Sequence, residues 1–308
     1  MRYLYLFITT IIIGSSLIIG NQKANSANVF AGPSILNQSH SEVKLSSVEK
    51  IKKPMVVSEN NPEISSPAYL VLDRETLTPL IAKNGDSKYL IASVTKLMTA
   101  VVSLEKGSLS DIIEVKEDLS SIPASKMGLY DSEKISLENI LKGLLISSSN
   151  DAAEVLANYF SKGNYNDFIK MMNDKALSLG MKNTHFSNAV GLDNDQNYST
   201  ANDLALLANY ALQNDFIAKT VQITEERVSS VDGKTIHYLK TTNELLGDKD
   251  VDVYGLKTGE TPLAGGCLVT IAKTKNGEEI ITVVLDSPDR FGDTKRLIQW
   301  VEGNIEWK

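Results

Sequence analysis

Residues 255–286 read GLKTGETPLAGGCLVTIAKTKNGEEIITVVLD. Three apolar runs, Leu256–Gly259, Cys267–Lys273 and Ile280–Leu285, read as strands. Asn276-Gly277, between the last two, is a two-residue hairpin signal, because both residues accept the positive φ that such a turn requires. Upstream, Arg227–Val231 and Thr235–Leu239 flank Asp232-Gly233, a second hairpin. At the other end of the chain, Tyr69–Leu72 and Pro79–Ala82 are short apolar runs split by Asp73-Arg74-Glu75-Thr76, a third.

Between these strands lies a helical block. Thr95–Lys106 is closed by Gly107 in the usual C-terminal position. Leu137–Leu145 and Ala152–Phe160 follow, separated by the polar run Ser147–Asp151, and Tyr165–Leu179 ends at Gly180. Thr200 with Asp203 is a capping pair for a helix to about Leu212, after which, beyond Asn214, the pattern turns to β. Arg290–Val301 closes the chain as a helix. The order predicts an α+β fold: one antiparallel sheet with strands from both ends of the chain, covered by helices.

Composition narrows the chemistry. The 308 residues are 42% apolar and 22% charged, with 31 Lys+Arg against 38 Asp+Glu and a formal net charge of −7. No cationic surplus exists to neutralise phosphates, which argues against nucleic acid as a partner. One cysteine, Cys267, excludes an intramolecular disulfide framework and multi-Cys metal sites. The three histidines, His40, His185 and His237, lie far apart and form no HExxH pattern. No metal or cofactor is expected, and a proton-transfer group has to come from another residue type.

Residues 1–31 open with Arg2 and an uncharged apolar run from Tyr3 to Gly20, followed by candidate cleavage points near Ala27 and Ala31. This reads as an export signal, with an uncleaved N-terminal membrane anchor as the rival. Export to the periplasm or the outer face of the membrane follows from either. Residues 32–64 read as a flexible linker, rich in Ser, Asn and Lys, and 65–308 as one globular domain.

Three short motifs in the domain carry candidate chemistry. Ser93-Val94-Thr95-Lys96 opens a helix, where positions i and i+3 share a face and a serine hydroxyl meets a lysine amine. Burial or a neighbouring cation lowers a lysine pKa until the amine can take the serine proton. Ser148-Ser149-Asn150 places a hydroxyl and an amide in the gap between two helices, where capping is the ordinary explanation. Lys257-Thr258-Gly259 offers a cation, a hydroxyl and a glycine that lets a ligand backbone lie against the strand. Each alone is weak. Together, in this order, they match the S-x-x-K, S-x-N and K-T-G set of penicillin-binding proteins and class A β-lactamases.

The stretches SSSNDAA (147–153), GMKNTHFSNAVGL (180–192), YSTANDLA (198–205) and GLKTGETPLAGGCL (255–268) resemble the low-molecular-mass D-alanyl-D-alanine carboxypeptidases, over roughly Pro67 to Trp300. The resemblance implies a β-lactamase/transpeptidase-like fold with a sheet of about five strands and a helical subdomain. It implies Ser93 as the acylated nucleophile, Lys96 as its general base, and Ser148 and Asn150 as proton-relay and substrate-positioning residues. Lys257, Thr258 and Gly259 would receive the substrate carboxylate, and the backbone N–H groups of Ser93 and Glu260 would form the oxyanion hole. The implied substrates are peptidoglycan stem peptides ending in D-Ala-D-Ala, with β-lactams as inhibitors and a place in cell-wall biogenesis and cell shape. Glu260 stands where many relatives carry an aromatic, histidine or small residue, and facing the cleft it would oppose a carboxylate ligand. Ser149 replaces a more usual glycine. No C-terminal β-rich domain or amphipathic helix fits after Trp300, so membrane attachment is expected only through the N-terminus.

A D,D-endopeptidase shares the three motifs and is the nearest alternative. A β-lactamase is disfavoured, because no glutamate lies between Val155 and Thr224 to activate a deacylating water. A silent wall-binding protein is disfavoured by three intact motifs. Asp232-Gly233-Lys234-Thr235 is a hairpin rather than a phosphate loop, since position 228 is valine. His185 reads as a packing residue bordering the site, and Cys267 as a buried inert thiol.

Overall fold

A computed structural model describes residues 51–308 apart from Glu59 and Ala124. The stretch 1–31, read as an export signal, and most of 32–64, read as a linker, lie outside the described residues. Five strands form the central sheet: β1 (Ala68–Asp73), β2 (Pro79–Lys83), β3 (Asp252–Thr261), β4 (Gly265–Lys273) and β5 (Glu279–Ser287). Their order is β3-β4-β5-β1-β2, antiparallel throughout. The α+β expectation and its three-strand C-terminal half both stand. The join between the chain's two ends is the β5–β1 ladder, Ile281 opposite Leu72 and Val283 opposite Leu70.

Why these strands are continuous apolar runs follows from burial on both faces. Ala68, Leu70 and Leu72 of β1, with Ile281, Val283 and Leu285 of β5, point into a core shared with the helical block. The alternate residues Tyr69, Val71, Ile280 and Val284 meet Leu297, Ile298 and Val301 of the closing helix. Period-two alternation thus sorts one run of sequence between two cores.

The helices are α1 (Lys96–Lys106), α2 (Leu137–Ile146), α3 (Asn150–Ser161), α4 (Tyr165–Ser178), α5 (Ala201–Ala211), α6 (Asp215–Thr220) and α7 (Arg290–Asn304). Thr200 caps α5 by accepting the Asp203 N–H. The short α6 interrupts the expected change to β, because the Asn214 side chain accepts the N–H groups of Phe216 and Ile217 and nucleates one more turn. Gly107 does follow α1 but is extended, at φ −132°, rather than left-handed. Its reason is space: a Cβ there would lie 2.8 Å from Phe160 Cζ and 2.9 Å from Leu137 Cδ2. Within the stretch read as linker, Pro54–Val56 pairs antiparallel with Ile305–Trp307. Trp307 Nε1 donates to Asp73 Oδ2 at 2.9 Å, tying this pair to β1. Among the described residues no helix is long and apolar enough to cross a membrane.

Candidate active site

Ser93 lies in a 3-10 turn, Ala92–Thr95, that feeds directly into α1. A 3-10 turn eclipses residues i and i+3, and Lys96 Nζ accordingly stands 2.8 Å from Ser93 Oγ. Two glycines press on this turn. A Cβ on Gly191 would lie 2.0 Å from Ala92 O, and one on Gly259 would lie 2.9 Å from Ser93 N. The space left by Gly259 is therefore filled by the Ser93 backbone and not, as its sequence suggests, by a ligand. The close approach brings the end of β3 against the serine amide.

Lys96 is fully buried. Besides Ser93, its amine reaches Asn150 Oδ1 at 2.7 Å and Val190 O at 2.5 Å. Burial, reinforced by the nearby Lys257 ammonium, holds it well below the usual lysine range. Behind it, Tyr165 Oη donates to Glu154 Oε1 at 3.3 Å and accepts the Ala189 N–H at 2.9 Å. Burial raises the Glu154 carboxyl. Glu154 falls one turn after Asn150 on α3, a spacing the sequence offers but which motif reading passes over.

The second motif spends none of its side chains on capping. Ser149, at the N-cap of α3, makes no side-chain cap bond. Ser148 adopts a left-handed backbone at φ 57° and receives a hydrogen bond from Lys257 Nζ at 2.8 Å. Asn150 turns its Oδ1 to Lys96, while its backbone N–H goes to Ser125 O at 2.6 Å. Ser149 Oγ stands 3.1 Å from Ser147 Oγ, so the hydroxyl that replaces a glycine has a partner. The neighbouring Asp151, which sequence reading left aside, accepts the N–H groups of Met127, Gly128 and Leu129 and fastens the loop bordering Asn150.

Lys257 is also fully buried, and its second bond is to Thr258 O at 2.9 Å. Burial, then the nearby Arg290, lowers its ammonium to about 7. Thr258 Oγ1 lies 2.5 Å from Thr242 Oγ1. The carboxylate of Glu260 turns to the Arg290 guanidinium at the start of α7. The fold thus gathers three stretches of chain into two hydrogen-bonded groups, Ser93–Lys96–Asn150 and Ser148–Lys257–Thr258, close enough for the Lys257 charge to act on Lys96.

His185 Nδ1 pairs with Gln196 O at 2.6 Å, and its backbone bridges to Tyr198. His237 has a role that the sequence did not signal: its Nε2 is 2.7 Å from Glu133 Oε1 and its Nδ1 3.0 Å from Met127 O, all buried. Cys267 is buried and its thiol pushed up to about 12 by burial, as suits an inert residue.

This arrangement has relatives. Residues 55–289 match the family model described as D-alanyl-D-alanine carboxypeptidase. The D-alanyl-D-alanine carboxypeptidase DacA of Haemophilus influenzae is 32% identical over 278 residues, 86% of this chain and 68% of that protein. A D-alanyl-D-alanine endopeptidase of Escherichia coli is 34% identical over 259 residues, 82% of each chain. Among solved structures, a Streptomyces DD-transpeptidase superposes with a TM-score of 0.73 at 30% identity, covering 78% of this chain and 98% of that one. The fold, the clustered S-x-x-K, S-x-N and K-T-G residues and these matches agree: the chain belongs to the D-alanyl-D-alanine carboxypeptidase family of serine peptidases.

Proposed function

We propose that the chain removes the terminal D-Ala from peptidoglycan stem peptides through an acyl-enzyme on Ser93. The observation that carries this reading is the set of partners around Lys96 Nζ: Asn150 Oδ1 and Val190 O can only accept. A neutral amine gives its two N–H groups to those oxygens and keeps its lone pair for the Ser93 hydroxyl. Burial lowers the basicity of the amine and so favours that neutral form.

The reaction then runs as acyl transfer. Ser93 Oγ attacks the carbonyl of the D-Ala–D-Ala bond as its proton passes to Lys96. The N–H groups of Ser93 and Glu260 hold the oxyanion. The proton reaches the leaving amine through Ser148, whose hydroxyl is bonded to Lys257. The C–N bond breaks, D-Ala departs, and water, deprotonated in turn by Lys96, hydrolyses the ester. Lys257 and Thr258 suit the terminal carboxylate, a cation beside a hydroxyl. β-Lactams enter the same path and leave a slowly hydrolysed ester. Residues 1–31 support export, and with it action at the outer face of the membrane on the wall.

Release of D-Ala from a pentapeptide ending in D-Ala-D-Ala tests the reading. Purified protein is expected to release it, and Ser93→Ala is not. An inert wild type that also fails to retain labelled penicillin sinks it. The similarity to an endopeptidase favours a second assay, cleavage of cross-linked dimers, in which faster dimer cleavage than D-Ala release would reassign the preferred substrate.

A further inference from the structure

Glu260 and Arg290 form an ion pair at the end of the cleft where the substrate carboxylate is placed, and the fold makes room for it. Glu260 lies opposite Gly266 in the β3–β4 ladder. A Cβ on Gly266 would come 2.5 Å from Ser287 O, 3.3 Å from Arg290 Cβ and 3.4 Å from Arg290 Cδ. The bare glycine lets the Arg290 side chain pass from α7 over β4 to β3.

Three further observations locate the pair. Glu260 shares its face of β3 with Thr258, two residues before it, and Arg290 is close enough to Lys257 to lower its ammonium. The Glu260 side chain is 65% exposed and that of Arg290 only 18%. Arg290 Nε is buried without a hydrogen-bond partner among the described residues, so the guanidinium has donor capacity left over. The cation is mostly buried, and the carboxylate on it is the solvent-exposed half.

We propose that Glu260 is a specificity residue: a built-in carboxylate that occupies the Arg290 cation beside Lys257 and competes with the free carboxylate of the substrate. An incoming acid has to displace the Glu260 side chain from Arg290. A ligand whose terminus is an uncharged carboxamide meets no such competition. The inference rests on the carboxypeptidase reading of the site.

The test compares a peptide ending in D-Ala-D-Ala acid with the same peptide as its carboxamide, measuring kcat/KM for each. Because both substrates use the same backbone oxyanion hole, a change in the acid-to-amide ratio reports charge at the carboxylate end alone. Glu260→Gln is expected to raise that ratio about fivefold, the size of one solvent-screened charge contact. Glu260→Asp, which keeps the charge, should return it towards wild type. In an Arg290→Gln background the gain from Glu260→Gln should vanish, as coupled neighbours require. A ratio unchanged or lowered in Glu260→Gln, with wild type active, overturns this inference and leaves the carboxypeptidase reading intact. A wild type that releases no D-Ala and retains no penicillin overturns both.

Discussion

Ser148 Oγ receives a hydrogen bond from the buried Lys257 ammonium at 2.8 Å, and this contact joins the second motif to the third. It requires Ser148 to hold a left-handed backbone, φ 57°, which a non-glycine residue adopts at a cost of about 1 kcal/mol or more. In the proposed mechanism this hydroxyl passes the proton to the leaving amine. Ser148→Ala is expected to lower kcat by about a hundredfold, the scale of one positioned proton-transfer group. Its melting temperature should stay near that of wild type, which a thermal scan run beside the assay checks.

The pH profile should have two limbs. Lys96 must be neutral to accept the Ser93 proton, so its depressed pKa puts the acid limb well below the usual lysine range. Lys257 in the free chain titrates at about 7. As pH rises through that value its charge is lost, and kcat/KM for a carboxylate-terminated peptide should fall. A bound carboxylate favours the ammonium, so the alkaline limb of kcat should lie at higher pH than that of kcat/KM. Coincident alkaline limbs would contradict the assignment of Lys257 to the substrate carboxylate.

Gly191 should resist substitution. Its φ is +84°, and a Cβ would sit 2.0 Å from Ala92 O, in the backbone of the nucleophile turn. Gly191→Ala is expected to destabilise the protein by about 2 kcal/mol and to slow acylation, because the displaced turn carries Ser93 away from Lys96. Chemical denaturation together with a penicillin-binding time course measures both effects.

His237 predicts a pH-dependent stability. Glu133, then the Met127 carbonyl and Asp151, raise its pKa above the ordinary imidazole value, against the lowering effect of burial. A raised folded-state pKa contributes stability that is fully present below the unfolded value and is lost as pH rises through the folded one. The difference in unfolding free energy between wild type and His237→Gln should therefore shrink from pH 6 towards alkaline pH. At pH 6, His237→Ala should cost about 3 kcal/mol, as expected when one partner of a buried ion pair is removed. It should also loosen the 127–129 loop, which hydrogen exchange reads directly.

Much of this fold is legible along the chain because each element carries its own local signal. The apolar runs of 255–286, the Asn276-Gly277 turn and the Thr200 cap all act within a few residues. Ser93 and Lys96 are legible for the same reason, being three apart on one turn. Long-range pairings leave no such trace. The Pro54–Val56 ladder with Ile305–Trp307, the His237–Glu133 pair and the arginine that meets Glu260 depend on residues 30 to more than 200 positions apart. Gly259 shows the same limit: a glycine in a strand says that something approaches closely, without saying that the nucleophile turn itself does so.

The central claim is that Ser93 is a nucleophile made reactive by the neutral amine of Lys96. Intact mass spectrometry after exposure to benzylpenicillin tests it most directly, with wild type beside Ser93→Ala and Lys96→Ala. Wild type is expected to gain one penicilloyl group, mapped by digestion to the peptide containing Ser93. Lys96→Ala should gain it at least a hundredfold more slowly, and Ser93→Ala should gain none. An adduct on another residue, or a Lys96→Ala protein acylated at the wild-type rate, would contradict the account.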